Sequence, residues 1–400
     1  MSQVTEESKH WLRWSALLWG GVLFTLTLIL WATYPNGRTV AGLYRGASEA
    51  WWAHQGLYTG PGGMNYLPHF AILFSPFQVM PRFVGELLWR WVSVGCLMYA
   101  WWKLASLADP SRKGVIFFGS SAVAMTACGD AFRSGQANTV FAAMVLLTAC
   151  YLIERRWWPA AMSLMLGMAV KPLGFVLAAL VFIGYRQMIR PLALLFAVFA
   201  LFPFCFAPWG YVIEQFQGAW ANLMTCSLVT DHRFADVNGI LRFLGWDLSG
   251  VANQGVRIGF GGATALIWLV LSRQPGHMRR EFTLLVLAVS YLMLFNPMTE
   301  VNSYVIMVPV YAVLGMYLMG MPDGRLYGGA ILLGVLTIGV LPELMRRVAP
   351  QFGLWWDPLV TVLCLFAVLW YVYGSWRKEL RPRLAELVRD FRLTNDRIGA

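Results

Sequence analysis

The chain has 400 residues, 58% hydrophobic and only 13% charged, with a mean hydropathy of +0.57 and a formal net charge of +11. A water-soluble domain carries about a quarter charged residues, so the composition excludes an ordinary soluble globular protein. The positive balance is no argument for nucleic acid; where the basic residues lie along the chain carries the information. In chain order, apolar blocks of about 15–22 residues alternate with short basic or Pro/Gly-rich loops, as expected of helices crossing about 30 Å of hydrocarbon. They predict an all-α polytopic integral membrane protein with about twelve crossings, near 12–33, 83–105, 114–128, 137–153, 157–170, 173–185, 191–208, 256–272, 282–296, 304–320, 326–341 and 357–374. The first block has no small-residue cleavage site after it and reads as an uncleaved helix. Residues 1–375 form the multi-span domain in this reading, and 376–400 a basic cytoplasmic tail. Residues 376–397 are compatible with a helix on an anionic leaflet or with an ordinary solvated one.

Basic residues in short loops set the direction. With the N-terminus cytoplasmic, "DPSRK", "ERRWW", "YRQMIRP", "SRQPGHMRRE", "MPDGR" and the tail from "SWRKELRPR" all fall inside. The opposite face then collects 34–82, 129–136, the bend near 171, 209–255, 297–303 and 342–356. Its polar residues are unlike a neutral loop surface. Lys171 and Pro172 interrupt "MLGMAVKPLGFVLAAL". Proline ends a helix, and a lysine at such a depth either meets a partner in a polar cavity or reaches the headgroups.

Arg45, Arg133, Lys171 and Arg233 stand on the face where positive charge should be scarce, which suits them to a phosphate. Glu49, Asp130, Asp231, Asp236 and Glu300 share that face, and a carboxylate there can orient a sugar hydroxyl or take its proton. His54, Tyr58, Tyr66, His69, Gln136, Asn138 and Asn302 are candidates for sugar or acceptor contacts. Loop ion pairs are the better account of at least half of the charged residues. Phosphate and sugar recognition inside a membrane protein together point to a lipid-phosphate sugar. The six cysteines are scattered, without metal spacing, and a Cys128–Cys226 pairing is unforced. No nucleotide loop and no acid pair for a nucleotide-sugar metal is present, and neither cofactor nor metal is expected.

The first outer segment, with Tyr44, Ala47, "LY" at Tyr58, "YLP" from Tyr66, and "FAILFSPF", resembles family 87 glycosyltransferases of the membrane-embedded C superfamily. So does "SGQANTV…AAMSLMLGMAVKPLGFVLAAL". The resemblance runs over about residues 30–320, and Gly135-Gln136…Asn138 with Lys171-Pro172 is its most specific part. It implies a GT-C architecture and a polyprenyl-phosphate sugar donor, typically of mannose. It also implies an interfacial helix in the first outer loop, and an acceptor lipid or glycan at the outer face of a bacterial-type inner membrane. It further implies an essential Asp in that loop, at about Val40. Here the sequence departs from the family: 34–69 contains no Asp, and its one acid is Glu49. Transfer with inversion needs one base near the acceptor hydroxyl and positive charge on the leaving phosphate. Glu300 is the first candidate for the base, then Glu49, which an (i, i+4) pair with Arg45 would explain without catalysis; Asp130 follows. A lipid-linked-sugar transporter or flippase, or a non-catalytic lipid-sugar-binding subunit, are the other classes open to this sequence.

Overall fold

The structure is a computed structural model that describes residues 6–37, 39–58, 64–228, 234–273 and 277–374. Most of the described residues are helical, and none of them is in a strand. The helices are α1 (Glu6–Thr33), α2 (Ala41–Trp52), α3 (Pro68–Gln78), α4 (Arg82–Ala108), α5 (Lys113–Ser134), α6 (Asn138–Ile153), α7 (Trp157–Val170), α8 (Gly174–Gly184), α9 (Ile189–Leu201), α10 (Trp209–Leu228), α11 (Val237–Phe243), α12 (Gly250–Leu271), α13 (His277–Phe295), α14 (Val308–Met319), α15 (Arg325–Met345) and α16 (Phe352–Gly374).

Among the described residues, six segments are long and apolar enough to cross a membrane: His10–Thr33, Lys113–Ser134, Arg186–Cys205, Gly250–Leu271, Pro322–Met345 and Phe352–Gly374. That is half the number expected. Four more expected crossings, α6, α7, α8 and α14, are apolar but short. At 1.5 Å per residue, the 11 residues of α8 cover about 16 Å, half of a hydrocarbon core. The expected crossing at 83–105 lies within α4, which is long but carries Arg82, Glu86, Arg90 and Lys103. The long outer loop read at 209–255 is also partly helical, since α10 and α11 lie in it.

Helices α6 and α14 are apolar on all sides and buried on nearly all sides, as befits central elements. Helix α6 packs against α4 and α7, and α14 against α5 and α15. Two indoles in this interior are matched: that of Trp101 donates to Ser120 Oγ at 2.9 Å, and that of Trp19 to Ser121 Oγ at 3.2 Å. The peripheral helices keep large apolar side chains outward, among them Phe24, Val198, Leu266, Leu333 and Phe366. An exposed surface of that kind is stable in lipid rather than in water.

Candidate functional site

Three chain breaks meet at one end of the bundle. The first ends α5. Gly135 takes a left-handed conformation (φ 70°), which glycine adopts without a side-chain clash. The indole of Trp89 donates to the Gly135 carbonyl at 2.8 Å, and Arg90 Nε to the Arg133 carbonyl at 3.0 Å. Tyr44 of α2 holds the far side of the turn: its hydroxyl accepts from the Ala137 N–H at 3.1 Å and lies 3.0 Å from the Tyr66 hydroxyl. Gln136 and Asn138 are thereby fixed at the start of α6. The second break is Lys171-Pro172. Pro172 ends α7 at Val170, Lys171 is extended (φ −152°, ψ 129°), and α8 starts at Gly174. The third is 296–300, where Met298 has φ 59°, uncommon for a residue with a side chain. Thr299 anchors this turn, its hydroxyl donating to the Asn296 carbonyl at 3.0 Å and its carbonyl accepting from Ala235 N–H at 2.7 Å.

The three breaks and α2 enclose a cavity of about 510 Å³, within the size range of small-molecule sites. Among its described lining residues, Lys171 is the only basic side chain and Glu300 the only carboxylate. A chain of hydrogen bonds connects them. The Lys171 ammonium donates to Asn138 Oδ1. Asn138 Nδ2 donates to Ser303 Oγ at 3.2 Å and, more weakly, to Asn302 Oδ1 at 3.5 Å. Asn302 Nδ2 donates to Glu300 Oε2 at 2.7 Å. Burial pushes the Lys171 ammonium below the ordinary lysine value, and the facing Glu300 carboxylate pulls it back up. Burial also pushes the Tyr66 phenol up to about 12, so it stays a neutral hydroxyl beside the cavity. The arrangement offers an ammonium for an anion, amides and a phenol for hydroxyls, and one carboxylate as proton acceptor.

Of the residues singled out in the sequence, the structure gathers Lys171, Glu300, Gln136, Asn138, Asn302 and Tyr66 around this cavity. Tyr58 stands behind it, its hydroxyl donating to the Tyr66 carbonyl at 2.7 Å. Others lie elsewhere. Arg45 donates to the carbonyls of Phe77, Gln78 and Met80 at the end of α3, and Glu49 lies 4.0 Å from it, one helical turn away. His54 packs against Tyr211, and buried His69 stacks on Phe199 at 3.9 Å. Asp236 caps α11 by accepting from Asn238 N–H at 2.9 Å and pairs with Arg257 at 3.5 Å. Asp130 and Arg133 pair at 2.8 Å beside a separate groove. Asp231 and Arg233 lie outside the described residues, as does the tail 376–400. Cys128 and Cys226 are both free thiols. The sequence reading missed Ser303, next to Asn302, and the Tyr44 hydroxyl. A serine after an asparagine has no signature of its own, but Tyr44 already stood in the family-like pattern. Val40, where the family's Asp would fall, lines the same cavity as Glu300.

No curated protein and no solved structure matches the chain. The family model for glycosyltransferase family 87 matches residues 65–297, more than half of the chain and a span that includes the Gly135 turn and the Lys171 break. With its apolar helices and this match, the chain belongs to glycosyltransferase family 87 and is a membrane glycosyltransferase.

Proposed function

We propose that the protein transfers a hexose, mannose being the first to test, from a polyprenyl-phosphate donor to an envelope lipid or glycan. In this reading the four short apolar helices, together with α4 and α13, bring the six long spans to about twelve crossings of a GT-C architecture in a bacterial inner membrane, with both termini cytoplasmic and the cavity opening outward. The observation that carries it is the pairing of one ammonium, Lys171, with one carboxylate, Glu300, across a cavity lined by amides and a phenol. Lys171 holds the donor phosphate. The acceptor hydroxyl attacks the anomeric carbon from the face opposite the phosphate. The new carbon–oxygen bond forms as the carbon–phosphate-oxygen bond breaks, the hydroxyl proton passes to Glu300, and polyprenyl phosphate leaves with the electron pair. Inversion follows from this single displacement. A phosphate leaving group needs no protonation, so one carboxylate suffices, unlike the paired acids of most glycosidases. Glu300 thus takes the place of the acid absent at Val40. Arg45 and Glu49 have no part, since each has a structural partner on the far side of α2.

The test is transfer from synthetic lipid-phosphate mannose by the purified protein. Glu300→Gln should abolish transfer while donor binding persists, and Lys171→Met should lower transfer by about 10²-fold or more, as when a preorganised electrostatic contact is lost. Glu49→Gln should retain turnover. An active Glu300→Gln beside a dead Glu49→Gln would move the base to α2. Donor binding without any transfer by the wild type would favour a non-catalytic lipid-sugar-binding subunit.

A further inference from the structure

Tyr44 and Tyr66 meet oxygen to oxygen at 3.0 Å, so one proton lies between them. The partners on either side settle which phenol supplies it. Tyr44 is buried, its ring boxed by Phe70 at 4.8 Å and Phe74 at 5.6 Å. Its oxygen already accepts from the Ala137 N–H at 3.1 Å, and a backbone N–H can only donate. The Tyr44 proton therefore points away from Ala137, and the Tyr66 oxygen is the one acceptor it reaches among the described residues. Tyr44 donates and Tyr66 accepts. The proton of Tyr66 itself is left over. Tyr66 is half-buried and lines the cavity, with the Tyr58 hydroxyl bonded to its carbonyl and its ring 4.8 Å from that of Phe70. Its leftover proton has no protein acceptor among the described residues and is turned to the cavity. Burial first, and the facing Glu300 carboxylate after it, keep both phenols neutral.

A sugar hydroxyl can turn its own O–H to suit a phenol of either sense. A donor fixed in one sense matches an oxygen that can only accept, and in the proposed transfer the donor phosphate carries such oxygens. The placement agrees. Tyr44 is tied to Ala137, and Lys171 to the next residue, Asn138. The phenol pair and the ammonium thus converge on the N-terminal end of α6, where the helix dipole favours negative charge. We infer that Tyr66 is a catalytic hydrogen-bond donor to the departing phosphate, and that Tyr44 is the positioning residue that turns and strengthens it. The inference rests on the transferase reading above and adds a second contact to its leaving group. As the bond from the anomeric carbon to the phosphate oxygen breaks, the phosphate keeps the electron pair and its charge grows. A hydrogen bond to it tightens over the same interval and so lowers the barrier. The proton stays on Tyr66, since a phenol at about 12 is a far weaker acid than a phosphate monoester, which loses its second proton at about pH 6. The bond that Tyr66 accepts from Tyr44 polarises it and makes it a stronger donor. Glu300 is left free for the acceptor hydroxyl.

A double-mutant cycle with synthetic lipid-phosphate mannose tests this, phenylalanine keeping each ring in place. Tyr66→Phe should lower kcat by about 10²-fold and change KM by less than about 3-fold. Tyr44→Phe should lower kcat by about 10-fold in the wild type and by less than about 2-fold in the Tyr66→Phe background, because it acts only through Tyr66. A Tyr44→Phe loss that persists in full in the Tyr66→Phe background would reduce Tyr44 to a packing residue and overturn its positioning role. A Tyr66→Phe effect confined to KM would overturn the contact with the departing charge. The acid limb of kcat/KM against pH should not move in Tyr66→Phe. A shift to higher pH would mean that the phenol had been donating to the Glu300 carboxylate, and would overturn the phosphate assignment. Tyr44→Phe strands the Ala137 N–H; should that variant fail to fold, the Tyr66→Phe kinetics and pH profile still decide the contact. Titration calorimetry with farnesyl phosphate needs no turnover. Its affinity should fall by about 10-fold in Tyr66→Phe, with no further loss on adding Tyr44→Phe, as for one lost charge-assisted contact. Unchanged affinity in Tyr66→Phe would overturn the inference. A calorimetric cycle that behaves as expected in a protein that transfers nothing would sink the transferase reading and leave the phosphate contact standing.

Discussion

His69 looked in the sequence like a sugar contact, and the structure gives it another role. Its ring lies flat against Phe199, and Nε2 donates to the Phe199 carbonyl at 2.8 Å, while Nδ1 is buried without a partner among the described residues. A second proton would place an unpaired N–H and a charge in an apolar contact, and burial pushes the pKa from 6.5 down to about 4. The unfolded chain therefore binds this proton first. Stability held above about pH 6.5 falls as the pH drops toward 4, by about 3 kcal/mol at most. Thermal unfolding in detergent should show a Tm that declines over this range in the wild type and declines less in His69→Gln. Equal slopes would mean that the ring is already protonated or exposed. Lys171, Asn138, Glu300 and Asn302 were readable because polar groups are costly in an apolar run and so call for a reason. Arg45, His69 and Asp236 looked no different in sequence. Each has found a local partner, and a partner across a turn or a helix end leaves no trace in composition.

At the scale of elements, apolar blocks made most helices legible, with ends displaced by a few residues. Helix α10 was not legible. Its sequence, WGYVIEQFQGAWANLMTCSL, mixes Trp, Gln and Asn among apolar residues, so no continuous block marks it. The Gly135 turn was legible as a bend but not as a clamp. Its Cα faces the guanidinium of Arg90, whose carbon would lie 3.3 Å from an added Cβ. Arg90 has little room to retreat, being buried and bonded to Arg133 O at 3.0 Å and Thr39 Oγ1 at 2.9 Å. Gly135→Ala combines this contact with a left-handed backbone that costs a side-chain residue about 1 kcal/mol. A loss of about 1–2 kcal/mol in unfolding free energy is expected, with transfer reduced as Gln136 and Asn138 lose their position. An alanine variant as stable and active as the wild type would show the turn to be pliable.

At the scale of the molecule, function depends on which end of the bundle faces outward. In the proposed orientation, 34–82, 129–136, 209–255, 297–303 and 342–356 share one side. In a background without the six native cysteines, single cysteines at Gln55, Asp130, Leu244 and Arg347 should label with an impermeant thiol reagent on intact cells. Cysteines at Ser111 and Arg155 should label only after permeabilisation. Labelling that splits the first group would separate the cavity's walls across the bilayer and break the site apart. The described lining of that cavity, with one ammonium and one carboxylate, carries no net charge of its own. A phosphodiester donor brings one negative charge. In the proposed transfer, Glu300 would become neutral as the departing phosphate gains its second negative charge, so the sum inside the cavity would be the same before and after. The proposed bond-making step therefore takes up and releases no net charge, and a voltage across the membrane acts on it only through the difference in depth between Glu300 and the departing phosphate. In that scheme charge leaves the site only afterwards, when the proton escapes to water and the dianionic lipid phosphate departs.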